Sequence, residues 1–170
     1  MKKTSEWYAR AKKEADKGVP KSERIIGIGI VIISILLIMY FVLHQIKTTG
    51  FFTKSFGVVE MFFLYGYFIF WIITAGLEGI FKKRFLSRII DVFGGIFFLT
   101  FSLAWLCLVF PFDFVYFAGV LPDFLRFLVG WISNDIARVI MILLTILHIV
   151  AAVYSPIAYK FIKIDFRKKL

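Results

Sequence analysis

Cysteine, asparagine and histidine are nearly absent from this chain. The one cysteine, Cys107, lies inside an apolar run, so neither an internal disulfide nor a CxxC pair exists and intramembrane thiol oxidoreductase chemistry is not expected. The one asparagine, Asn134, is followed by Asp135 and Ile136, which leaves no N-glycosylation acceptor. HExxH, GxSxG, P-loop, GxGxxG and Cys/His metal spacings are all missing. The GIGI stretch at Gly27 and Gly29 sits within an apolar run and is no nucleotide loop. Short connections leave no soluble domain to hold a substrate. These absences predict a protein that is not an enzyme and carries no cofactor and no metal.

What is present is apolar. Of 170 residues, 61% are hydrophobic and 22 are phenylalanine, with a mean hydropathy of +0.87, well above a soluble domain. The formal charge of +10 is confined to the edges of apolar blocks. That distribution fits topology signalling and contact with anionic headgroups, and gives no groove for nucleic acid.

A spanning helix needs roughly 20 apolar residues, and four stretches qualify, at about 25–46, 57–81, 88–110 and 136–159. The first starts too far from Met1, is too long for a signal-peptide core and lacks a small-residue cleavage site, so it reads as an uncleaved span. No lipidation motif is visible at either end. The block 111–133 resembles a fifth span in length, but holds Asp113, Asp123 and Arg126. A charge near a helix centre costs about 2.5–3.5 kcal/mol on insertion. Pro122 favours a first helical turn, Asp123 suits its positive dipole end, and Asp123 and Arg126 are i,i+3 neighbours that can pair. The block therefore predicts a short helix over about 122–132 in the membrane interface, with Trp131 at the headgroups, in preference to a re-entrant segment.

Seventeen lysines and arginines fall in 1–24, 82–88 and 160–169, whereas the other connections hold only Lys47, Lys54, Arg126 and Arg138. The alternation places both termini in the cytoplasm, in a cell-membrane protein. The expected architecture is an all-α, four-transmembrane-helix bundle spanning 24–164, with basic cytoplasmic tails at 1–23 and 165–170. In the first tail Thr4 or Ser5 can cap a helix, Glu6 favours its first turn, and Gly18 with Pro20 stops it. Trp7 and Tyr8 would then rest at the headgroups; a partly disordered basic tail is the alternative.

Polar groups inside hydrocarbon are costly and carry the functional clues. The fourth stretch has a stripe of Arg138, Met141, Thr145, His148, Ala152, Ser155 and Tyr159 at steps of four and three, which is one helix face. Corresponding stripes are Glu60, Leu64, Tyr67, Trp71, Thr74 and Glu78 in the second, Arg88, Asp91, Gly95, Phe98, Ser102 and Trp105 in the third, and Gly27, Ser34 and Gln45 in the first. His148 lies near mid-bilayer. It either bonds Thr145, Ser102 or Tyr67 as a structural tie or passes protons near neutral pH. His44 lies about 10 Å from His148 in depth, at ~1.5 Å per residue, so the two cannot share a haem within one copy. Glu78 and Asp91, beside Lys82 and Arg88, form either local ion pairs or a cytoplasmic ion entry. Glu60 is placed to pair with Arg138 or Lys54.

Three functions are consistent with this. The first is a non-catalytic subunit or scaffold packed against other membrane subunits or copies of itself. The second is a small oligomeric ion or proton channel or transporter using His148 and Glu78. The third is an intramembrane enzyme or lipid-handling protein that turns Asp113, Asp123 and Arg126 to the headgroups.

Overall fold

A computed structural model describes residues 20–81, 90 and 96–150. The fold is all-helical, with no strand among the described residues. Helix α1 covers Lys21–Ile46 and α2 covers Val58–Gly79. Helix α3 covers Ile96–Val109, and α4 is helical over 134–150. Two 3₁₀ helices, Phe114–Val120 and Asp123–Leu128, lie between α3 and α4.

Both α1 and α2 are long and apolar enough to cross a membrane, and only 22% of the most apolar window of each is buried. A core helix of a soluble protein would be mostly covered. Here Ile46, Val58 and Leu108 are 73%, 81% and 83% exposed, and an aliphatic face runs the described length of α4 through Val139, Leu143, Leu147 and Val150. Isoleucine-rich segments are ordinary helix formers in water. In hydrocarbon the helix is favoured because it satisfies every backbone polar group within the segment.

The helices run up and down. Arg24 at the start of α1 donates from Nε to the Gly79 carbonyl at the end of α2, 3.4 Å away, and Gln45 at the end of α1 accepts from the Tyr65 hydroxyl at 2.8 Å. Glycine makes the α1–α2 crossing close. A Cβ on Gly79 would stand 2.9 Å from the Ile28 backbone nitrogen, and one on Gly27 3.0 Å from the Ala75 carbonyl oxygen. Small residues at such contacts let helix backbones approach in a membrane. Helix α3 packs on the other side of α2, with the Phe98 ring over Gly66.

Past Ile46 the chain reverses through Thr48 and Gly50, both at positive φ (46° and 92°). The loop then pairs with the chain leaving α3. Asp113 N–H donates to the Phe51 carbonyl at 2.7 Å, and Thr53 N–H to the Pro111 carbonyl at 3.1 Å, around a single antiparallel bridge between Phe52 and Phe112. Phe41, Phe51, Leu64, Leu106 and Phe112 form the core at this end.

The helix expected over 122–132 is instead a 3₁₀ helix over Asp123–Leu128, preceded by a second one that sequence periodicity did not reveal. Pro122 caps it and separates the two. At the other end Gly130 N–H closes onto the Arg126 carbonyl at 2.7 Å, a tight stop in which a Cβ would sit 2.8 Å from the same oxygen. In a 3₁₀ helix i and i+3 eclipse, which puts Asp123 and Arg126 on one edge and Phe124 and Phe127 on another.

Candidate functional site

Among the buried polar groups is His44, two residues from the end of α1 and 1% exposed. Its Nε2 lies 3.0 Å from the Phe117 carbonyl oxygen, and its Nδ1 2.5 Å from the Thr49 hydroxyl. A carbonyl only accepts, so Nε2 carries a proton and donates it. In the neutral ring Nδ1 then accepts from Thr49. Tyr40, one turn earlier on the same face, donates its hydroxyl to the same Phe117 carbonyl. Rings surround the imidazole: Tyr40 edge-on at 4.9 Å, Phe51 at 4.7 Å and Phe117 stacked at 6.3 Å. In the sequence, the one signal that points to His44 is its i,i+4 placement relative to Tyr40.

Glu60 is 8% exposed and sits in the first turn of α2. One carboxylate oxygen accepts the Gly57 N–H at 2.9 Å, closing the helix N-terminus. The other accepts the Trp105 indole N–H from α3 at 3.0 Å. Neither expected partner pairs with it: Arg138 instead lies over the Phe110 ring, 4.4 Å from its centroid. The reason is geometric. Ala137 takes the inward position on α4, 4% exposed, and turns Arg138 outward.

Farther along α4, Met141, Thr145 and His148 are half-buried while their Ile, Leu and Val neighbours are exposed. Thr145 donates to the Met141 carbonyl within its own helix at 2.7 Å. His148 places Nδ1 2.8 Å from the Leu144 carbonyl, which fixes the proton on Nδ1, and Nε2 3.4 Å from the Tyr67 hydroxyl on α2, which can donate to it. His148 therefore meets Tyr67 and not Ser102. Ser102 is fully buried on α3, and among the described residues its Oγ has no hydrogen-bond partner.

Glu78 is half-buried at the opposite end of α2 from Glu60. Asp91, Ser155, Lys82, Arg88, Ala152 and Tyr159 lie outside the described residues, as do residues 1–19 of the first tail and the whole of the second; the last three residues expected in the first tail, 21–23, belong to α1. The Asp123–Arg126 pair forms, at 3.1 Å, with both side chains exposed; such a pair contributes about 0–1 kcal/mol. Among the described residues no three of His, Cys, Asp and Glu converge as metal ligands. His44, Glu60, His148 and Glu78 thus occupy separate positions in the bundle. No family of known proteins, no curated protein and no solved structure matches the chain.

Proposed function

We propose that this chain is a four-span membrane protein of the cell membrane, with both ends cytoplasmic, serving as a non-catalytic subunit or scaffold beside other membrane proteins. In this reading α3 and α4 are the outer parts of the third and fourth spans. The segment after Pro122 lies in the outer interface, Phe124, Phe127 and Trp131 reaching the acyl boundary beside the self-neutralised Asp123–Arg126 pair.

The observation that carries the reading is the use made of intramembrane polar side chains. Glu60 joins α2 to α3, Gln45 joins α1 to α2, His148 joins α4 to α2, and His44 joins α1 to the outer loops. Polar groups spent on holding helices together are the ordinary means of fixing a bundle in lipid. An outer surface of exposed Ile, Leu, Val and Phe then remains for lipid and neighbouring spans. Purification in mild detergent tests this: a partner at fixed stoichiometry is expected, and a lone, monodisperse protein active in a vesicle flux assay would contradict it.

One observation favours a channel or transporter as the second reading. The His148 ring is only partly covered in the middle of the bundle and is linked to the Tyr67 hydroxyl. Proton or cation flux in liposomes that falls with His148→Ala or Glu78→Gln would select it. Absent or unchanged flux would remove both residues from any transport path.

A further inference from the structure

The segment between Pro111 and Leu121 has no charged residue beyond Asp113, yet it does not behave as a loop standing above the bundle. The Phe117 carbonyl is bonded by Tyr40 and His44 of α1. Those residues lie six and two positions before Ile46, about 9 and 3 Å below the end of the helix at ~1.5 Å per residue. Apolar residues at the same level face outward: Met39, Leu43 and Ile46 on α1, Leu108 on α3, and Val115 within the segment, 75% exposed. The exposed greasy belt thus continues past the level of the Phe117 carbonyl.

Four successive backbone N–H groups, those of residues 113–116, have protein acceptors. Asp113 N–H goes to the Phe51 carbonyl, Phe114 N–H to Asn134 Oδ1 at 2.6 Å, Val115 N–H to Asp113 Oδ1 at 3.2 Å and Tyr116 N–H to the Asp113 carbonyl. Asp113 Oδ1 additionally accepts from Asn134 Nδ2 at 3.2 Å. Water would satisfy such groups in a surface loop. In hydrocarbon, irregular backbone is tolerated only where it is buried in protein or lines a water-filled cavity; Pro111 and Phe112 are buried and Asp113, Phe114, Phe117 and Ala118 half-buried.

We propose that residues 111–121 form a wedge seated in the outer leaflet, contacting lipid acyl chains through Val115 and its neighbours, with Tyr40 and His44 as the donors that make the Phe117 carbonyl tolerable there. The inference rests on the reading of α1 as a membrane span, and departs from an interfacial placement of the whole 111–133 block.

Nitroxide accessibility in the full chain tests it. Single cysteines replace Val115, Met39 or Lys54 in a Cys107→Ala background, and each spin-labelled protein is reconstituted in phosphatidylcholine vesicles. Labels at Val115 and Met39 are expected to relax more with oxygen than with a water-soluble nickel chelate, and the Lys54 label to show the reverse. Gly119→Cys supplies a second site in the segment, because a Cβ there meets nothing nearer than Thr49 at 3.6 Å. Nickel-dominated relaxation at Val115 and Gly119, with Met39 oxygen-dominated, would overturn the wedge alone. A segment shielded from both reagents would also overturn it, indicating cover by a second copy. Nickel-dominated relaxation at Met39 would overturn the spanning reading as well.

Discussion

The Glu60 carboxylate and the Trp105 indole, 45 residues apart in sequence, meet at 3.0 Å and tie the start of α2 to the end of α3. Because the other Glu60 oxygen closes the α2 N-terminus on Gly57, one side chain serves both a helix cap and a helix–helix contact. Leaving a buried donor unpaired costs about 1–3 kcal/mol. Glu60→Leu orphans two donors and Glu60→Gln, with a single acceptor oxygen, orphans one. Thermal midpoints in detergent should fall in the order wild type, Gln, Leu; equal midpoints would remove the tie.

The α1–α2 crossing gives a paired test. A methyl at Gly79 runs into the backbone of α1, whereas one at Gly29 on the same helix pair meets nothing within 4 Å. Gly79→Ala should destabilise by about 1–3 kcal/mol, the usual cost of forcing atoms into a packed contact. Gly29→Ala should be neutral or slightly stabilising, since alanine is the better helix former. Matching effects from both, measured by thermal unfolding, would contradict the close approach.

Ser102 offers the opposite sign. Its hydroxyl is fully buried and unpartnered among the described residues. Ser102→Ala removes a polar atom that gains nothing from its surroundings, so stability should rise by about 1 kcal/mol. A clear loss of stability would mean that the hydroxyl is bonded in the membrane-embedded protein.

What the sequence made legible was the work of periodicity and length. Apolar runs located α1 and α2 to within a few residues, and steps of three and four put Met141, Thr145 and His148 on one face of α4, as found. The Arg138 position on that stripe was one residue out, because a stripe of steps three and four fits Ala137 as well as Arg138. Contacts made by backbone groups leave no such trace. Nothing in the residue pattern could announce that the Phe117 carbonyl, 73 residues from His44, is its partner. The two 3₁₀ helices were hidden for a related reason: each is seven residues or fewer, too short for a helical period to appear.

Thr48 tests the turn that brings the first outer loop back onto α1. It is exposed and held at a φ of 46°, a left-handed conformation that costs a residue with a Cβ about 1–2 kcal/mol. Thr48→Gly should therefore stabilise the protein in thermal unfolding by roughly 1 kcal/mol, part of the relief being offset by the greater freedom of glycine in the unfolded chain. Destabilisation would show that the hydroxyl or methyl contributes more than the strain removes.

The threading of the chain through the bilayer is tested most directly at its two ends. A single reporter cysteine placed at Lys2 or at Lys169, in a Cys107→Ala background, is exposed to a membrane-impermeant maleimide in intact cells and again after permeabilisation. Both reporters should be silent in intact cells and react fully once the membrane is opened, as four crossings with cytoplasmic ends require. Labelling of either reporter in intact cells would contradict the account.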